Sequence, residues 1–545
     1  MGEVVFDAPG AGPWELEATH NARPMSRFAA AAFLGGFPRG FAEGTARYGL
    51  PLSHMQPAIV NGFVYTQPVM FGADGAPTTE EMQARLEASA RAFEEKRWRE
   101  DLAQWDKVDR PAAVTEHHGI QDVDPTGLSD AALAAHLERC RNHLEAMVYL
   151  HHKYTAAAIA PVGDFLAFAQ DCAGTPPREL MLLLRGTSPI STGFAATELD
   201  VLARSIRATH TATRILGTSS APHEALAALA ADPAVGADAR AYLDTVRFRS
   251  VGNDVADPTA GEMPALLVEA IRAAVAGAAA VPPDDDTGLA EIRSRVPAEH
   301  LVEFEERLGE ARLVNRMRDE RGAYSVGWAT GLARRAVLEA GRRLHAADKL
   351  AEPAHAVDAE AGELLALLRD EPGPRAEQVA DRVRWRNAHT IDDAPPLLGP
   401  APDPPPPLEA LPPPARRAAA AVNAVVMNLF QVPDTPNTDT VLHGLAVNPG
   451  SYEGTARLVD DTGDFARIQR GDVLVTRMTS PYFNLVLPLL GAIVTDRGGQ
   501  LCHAAIVARE YGLPGVVGTR EATRRIPDGV RVRVDGETGE VRLLG

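Results

Sequence analysis

The sequence predicts a multidomain chain of mixed class, α plus α/β, with a large, mostly helical region followed by a small carboxy-terminal α/β domain. Three observations carry this. Residues 129–390 are rich in Ala, Leu, Arg and Glu, with apolar positions at helical spacing. A proline-dense stretch follows at 395–417, and after about residue 442 the pattern changes to short β-like runs separated by glycines. The implied boundaries are 1–394 for the helical domain, 395–440 for a proline-rich strap or linker with a helix, and 441–545 for the α/β domain.

Taken in order, residues 1 to about 108 read as aromatic-rich loops with one helix. Thr78 and Glu81 have capping-box spacing, and Met82, Leu86, Ala90 and Phe93 follow as a buried stripe. Ser129 is the predicted N-cap of a long helix whose stripe is Leu133, Leu137, Cys140, Leu144 and Val148. Further helices are expected at Leu301–Arg318 and Gly327–His345. The prolines of Pro395–Arg417 favour extended, semi-stiff polyproline II. Beyond them, strands are expected at Asp472–Arg477, Gly491–Thr495, Pro514–Gly518, Val530–Asp535 and Glu540–Leu544, the last two joined by the turn Asp535–Gly539. A helix from about Ala504 to Tyr511 is stopped by Gly512 and Pro514.

The net charge of −19 comes without any strongly basic block, a surface that repels nucleic acid and anionic membranes. The amino terminus lacks the features of a signal peptide, and no run approaches the ~20 apolar residues that cross a bilayer. Cys140, Cys172 and Cys502 are widely spaced and odd in number, which argues against a disulfide framework. A reducing cytoplasm is the expected location.

The segment that points to chemistry is Thr495–Thr519, TDRGGQLCHAAIVAREYGLPGVVGT. A strand ends at Thr495, Gly498 and Gly499 make a tight turn, and His503 stands at the mouth of a helix. Free N–H groups there suit an anion such as a phosphoryl group, and a neutral imidazole is a competent nucleophile. Read alone, outside any motif, a histidine at this position is a solvated or capping residue, and Cys502 a small packed hydrophobe beside it.

These residues resemble the phosphohistidine, or swivelling, domain of the phosphoenolpyruvate-utilising enzymes, a group that includes pyruvate phosphate dikinase, phosphoenolpyruvate synthase and rifampin phosphotransferase. The resemblance rests on Gly498, Gly499, Cys502, His503, Ala504, Ala505, Arg509, Glu510, Gly512 and Pro514, flanked by Met478–Pro481 and Val534–Val541. It covers roughly residues 440–545 and implies a β/β/α swivelling domain with His503 as the phosphorylated residue. Arg477, Thr479 and Arg509 are candidates for phosphate contact. Leu501 stands where the dikinases carry a regulatory threonine, so regulation through that position is not expected.

Weaker pieces resemble the acceptor-binding region of rifampin phosphotransferase-like proteins: Trp14–Phe28, Val60–Pro68, Leu182–Ser188 and Gly331–Pro353. Asn21 and Ala22 depart from the usual aromatic–proline pair. His20 and Arg23 fall in the first piece and are candidate acceptor-site residues. Residues 1–440 contain no glycine-rich nucleotide-binding stretch and no GxxxxGK[ST] loop, and a phosphoenolpyruvate barrel is not expected in this protein. The resemblance therefore implies an ATP-grasp partner on another polypeptide, as in phenylphosphate synthase-type systems, with ATP and Mg2+ bound there and neither a tightly bound cofactor nor a metal here. The expected activity is transfer of a phosphoryl group from His503 to a hydroxyl of a small acceptor. A phosphorylation-coupled dehydratase and a non-catalytic binding protein with a relic domain are the alternatives. His136, His143 and His151 border the apolar stripe of one helix and read as core-rim histidines. His117–His118 and His151–His152 lack the company of a metal site. Trp98, Trp105, Phe165 and Phe168 fit either a pocket or core packing.

Overall fold

The computed structural model describes all residues except 1–3, 74, 191–193, 219–220, 278–285, 403, 405–406, 431–434, 461, 481–482, 485 and 545. The chain divides into two compact units. One comprises Met1–Ala157, Gly252–Pro258 and Arg321–Ala419, and the other Ala158–Val251, Thr259–Glu320 and Ala420–Gly545.

In the first unit the helix Asp130–Lys153 forms as its sequence dictates. The Ser129 side chain accepts from the N–H of Ala132, and Leu133, Leu137, Cys140, Leu144 and Val148 are all buried. The Thr78–Glu81 capping box is also in place, on the helix Thr79–Glu94. Met82 is exposed, however, and the buried positions of that helix are Ser89, Ala92 and Phe93, because only its last turns meet the core.

Residues 1–108 hold more structure than loops and one helix. Leu52–Val60, Phe63–Met70, Trp14–Leu16 and Leu397–Leu398 pair, in that order, in an antiparallel sheet. The tight turn of its hairpin is Asn61–Gly62, both with positive φ (52° and 86°). Most residues of Leu52–Val60 are partly exposed on both faces and Pro57 lies among them, which blurs the alternation that marks a strand. A 21-residue helix, Arg27–Arg47, also forms despite Pro38 and four glycines. Gly36, Gly40 and Gly44 recur every fourth residue. A Cβ at any of them would run into the backbone of Glu145, Tyr149 or Lys153, so glycine here permits the close approach of two helices.

The expected break between Arg318 and Gly327 is bridged by helical turns, Leu301–Arg321 and then a π-helical turn at Gly322–Val326 leading into Gly327–Ala346. The proline stretch is not uniformly extended. Leu397–Leu398 join the sheet and Pro413 opens the helix Pro413–Phe430, where early prolines lack only N–H groups that a first turn leaves unused. Asp403, Pro405 and Pro406, in the middle of the expected strap, lie outside the described residues.

The second unit contains a helical cluster built on Leu202, Ile206, Leu229, Tyr242, Leu267 and Ile271. It also contains an eight-stranded sheet in the order Val441–His443, Glu540–Leu544, Arg531–Asp535, Ser451–Val459, Asp472–Thr476, Leu490–Thr495, Gly515–Val517 and Leu445–Asn448. The four strands from Ser451–Val459 to Gly515–Val517 are parallel. All five expected strands are present, and three more precede them. Ser451–Val459 is hidden in the sequence because Gly454 and its polar residues interrupt the apolar pattern. Apolar side chains cover both faces of the sheet. Val473, Val475, Ala492 and Val494 pack on one, and Leu474 and Ile493 pack with the His503–Tyr511 helix on the other. Ile493 is fully buried, so Ile493→Ala is expected to destabilise this unit by about 2–5 kcal/mol in denaturant titration. A loss under about 1 kcal/mol would contradict this account of the core.

Candidate functional site

His503 is placed by the end of a parallel strand and by backbone that only glycine allows. After Thr495 the chain turns through Gly498, whose φ is 109° and whose position faces the Cys502 side chain. A Cβ on Gly499 would collide with the carbonyl oxygen of Asn428. The turn hangs on the end of the Pro413–Phe430 helix: Gly499 N–H donates to Leu429 O (2.8 Å) and Leu501 N–H to Asn428 O (3.1 Å). Cys502 is the N-cap residue, His503 opens the helix His503–Tyr511, and Gly512 closes it with φ of 66°.

The Oγ1 of Thr479, itself buried, lies 2.9 Å from Nδ1 of His503. In the tautomer where Nδ1–H donates to that hydroxyl, Nε2 keeps its lone pair. Packing around the ring pushes the imidazole pKa down to about 3. The negative charge of Asp319 works against that shift, and the positive charge of Arg318 adds to it.

Arg318, Asp319 and Ser188 form a group that the sequence did not reveal. Arg318 donates to Asp319 through Nε (3.0 Å) and Nη2 (2.9 Å), and Ser188 Oγ donates to the same carboxylate at 2.6 Å. Despite burial, Arg318 and Ser188 hold the Asp319 carboxyl below the usual range. In the same unit, the Gly186 N–H donates to both oxygens of Glu510 (3.1 and 3.0 Å). Ser188 lies in a segment already quoted from the sequence, but 131 residues separate it from Asp319, so no local spacing signals their meeting.

The remaining residues named from the sequence take varied places. Arg509 is buried and donates to Gln500 O (2.6 Å) and Val447 O (3.2 Å), which ties the histidine loop to the sheet. The carbonyl of Arg477 accepts from the Arg497 N–H (3.0 Å). Its side-chain charge acts on the buried Asp496, whose pKa is raised by burial and partly brought back by Thr523 and Arg477. Burial pushes the Cys502 thiol up to about 11 and Cys140 up to about 12, so neither is a ready thiolate. Pro481 of the flanking Met478–Pro481 segment lies outside the described residues.

In the first unit, His20 Nδ1 lies 2.9 Å from Glu17 Oε1, and Arg23 Nη1 donates to Asn387 O (3.0 Å). His143 and His117 share a hydrogen bond of 2.9 Å, and the His117 ring stacks on Trp328. His136 is buried beside Cys140. Trp98, Trp105 and Phe165 are buried and belong to core packing, while Phe168 is partly buried.

The His503 pKa gives a pH prediction. An unfolded histidine titrates near 6.5. Because the folded value is depressed, the unfolded chain binds the extra proton first as pH falls. The contribution of His503 to stability is complete above about pH 6.5 and is lost between there and about pH 3. Histidine C2–H exchange, read by mass spectrometry, is expected to show His503 still neutral at pH 5. A midpoint near 6.5 would contradict the packing described.

Comparison with known proteins gives these features relatives. Residues 468–539 match the mobile domain of PEP-utilising enzymes, and residues 154–343 match the fourth domain of rifampicin phosphotransferase. A rifampicin phosphotransferase from a Streptomyces species is 32% identical over 321 residues, covering 57% of this chain and 35% of that protein. The uncharacterized phosphotransferase YvkC of Bacillus subtilis is 42% identical over 113 residues, or 21% of this chain and 14% of its own length. The phosphoenolpyruvate synthase of Pyrococcus furiosus is 40% identical over 111 residues, 20% of this chain and 14% of that enzyme. The chain thus spans about a third or less of the length of these curated relatives. Together the two domain matches show that this chain contains regions similar to the mobile domain of PEP-utilising enzymes and to the fourth domain of rifampicin phosphotransferase.

Proposed function

We propose that this protein is a phosphotransferase component that carries a phosphoryl group on Nε2 of His503 and passes it to a hydroxyl of a small acceptor. The observation that supports this best is the Thr479–His503 contact at the start of a helix, which engages Nδ1 and leaves Nε2 as the ring nitrogen for phosphorus. Loading forms the Nε2–P bond as the bond from phosphorus to the donor's leaving oxygen breaks. The ring then carries Nδ1–H and a positive charge, and Thr479 stays bonded to it. On transfer, the N–P electron pair returns to Nε2 and neutral imidazole leaves. The Arg318 guanidinium and the helix N–H groups supply positive charge for the phosphoryl oxygens.

The phosphoryl donor in this reading is ATP, bound with Mg2+ by a separate ATP-grasp protein, and the acceptor is held by residues of the amino-terminal region such as His20 and Arg23. Nucleic acid and membranes have no part in it, and the cytoplasm is its setting.

The test is the intact mass of the purified chain after incubation with ATP, Mg2+ and an ATP-grasp partner. An acid-labile gain of one phosphoryl group, lost in His503→Ala, is the expected result. A wild-type chain left unmodified by a partner of proven activity would remove the basis of the proposal and favour a binding role.

A further inference from the structure

Within the second unit, residues of the helix Leu301–Arg321 are fastened to the segment 183–188 by a ladder of hydrogen bonds. Arg312 Nε donates to Leu183 O (2.8 Å), Asn315 Nδ2 to Thr187 Oγ1 (2.8 Å) and Ser188 Oγ to Asp319 Oδ2 (2.6 Å). The His503 loop packs on both elements. Leu501 is buried in one apolar cluster with Leu183 and Leu184 of the segment and with Leu308 and Ala311 of the helix. Glu510 stands seven residues after His503, on the same face of their helix, and accepts the Gly186 N–H through both oxygens (3.1 and 3.0 Å). The elements that carry Asp319 and His503 are thus fixed against the same short segment, and the charges of the two residues act on one another.

The Asp319 carboxylate is unevenly engaged. Its Oδ2 takes two donors, Ser188 Oγ and Arg318 Nη2 (2.9 Å). Among the described residues Oδ1 takes only Arg318 Nε (3.0 Å), which leaves it a lone pair. The side chain is 14% exposed, so a proton taken up there has a path to water. Other groups near His503 are less suited to accept a proton. The Thr479 hydroxyl is bonded to Nδ1, Arg318 is permanently charged, Cys502 is a buried thiol, and Glu510 is buried and turned to Gly186. Asp319 alone of these is an ionised carboxylate with an acceptor position open.

Resting on the phosphotransfer reading above, we propose that Asp319 is the general base of transfer from phosphorylated His503, with Ser188 as its positioning residue. The acceptor hydroxyl gives its proton to Oδ1 of Asp319 as its oxygen forms a bond to phosphorus. The N–P bond breaks, and its electron pair returns to Nε2 of His503. Loss of the proton from Asp319 to water restores the starting carboxylate. The loose transition state of phosphoryl transfer places little demand on the nucleophile, so a weakly basic carboxylate suffices.

The experiment separates loading from transfer. Full-length chain is loaded with potassium phosphoramidate, a small donor that needs no partner, with His503→Ala as the blank for other histidines. Transfer to glycerol and to trifluoroethanol, a much more acidic alcohol, is followed by 31P NMR for wild type, Asp319→Asn and Ser188→Ala. In wild type the acceleration over phosphoimidazole should be greater for glycerol, because a base helps the weaker acid more, and this comparison needs no variant. Asp319→Asn should load as wild type does, then transfer to glycerol about a hundredfold more slowly and to trifluoroethanol less than about tenfold more slowly. Loss of a structural brace would slow both alcohols alike. Ser188→Ala, which keeps the base, should slow both by no more than about tenfold. A wild-type glycerol rate in Asp319→Asn, equal slowing of the two alcohols, or equal acceleration of both by wild type would overturn the assignment. Failure of the wild type to load would sink the phosphotransfer reading itself, a result distinct from these.

Discussion

The hydrogen bond between Thr479 and Nδ1 of His503 is the constraint on which the proposed phosphoryl transfer depends. An imidazole has two nitrogens of similar intrinsic reactivity, and a carrier must present one of them reproducibly. A buried hydroxyl on one side does this without introducing a charge. The ring stays neutral across the physiological range because packing disfavours imidazolium, and in the Nδ1–H tautomer Nε2 keeps its lone pair. The rest of the local structure serves that placement. The Gly498–Gly499 turn fits under the end of the Pro413–Phe430 helix, and Arg509 fixes Gln500 through its carbonyl.

Opposite charges near His503 balance one another. Asp319 favours the protonated ring and Arg318 opposes it, while the two are bound to each other and Asp319 also to Ser188. A paired arginine of this kind presents a fixed guanidinium to an incoming dianion at little reorganisation cost. The same logic of opposed environments recurs at Glu17 and His20, where a carboxylate raises one imidazole while its neighbours His151 and His152 remain neutral.

Much of the mobile domain was legible in the sequence because its strands are short, apolar and bounded by glycines, and its helix ends at Gly512 in left-handed conformation. His503 was legible because glycines, cysteine and alanines surround it in an ordered motif. The amino-terminal sheet and the Arg27–Arg47 helix were not. The first has strands with partly exposed faces, and the second carries glycines whose purpose emerges only when the partner helix lies against them. Asp319 and Ser188 were illegible for a different reason: their meeting is a property of the fold, and no local pattern encodes it. Glu17 lies three residues before His20, a spacing within reach of sequence reasoning as a carboxylate–imidazole pair.

The most direct test of the account is the position of the phosphoryl group on the ring. The chain labelled with 15N-histidine can be loaded with phosphoramidate and its ring nitrogens observed by NMR through their coupling to 31P. Coupling to Nε2 of His503, with Nδ1–H retained, is the result that the Thr479 contact predicts. Phosphorylation at Nδ1, the nitrogen that this contact occupies, would contradict it.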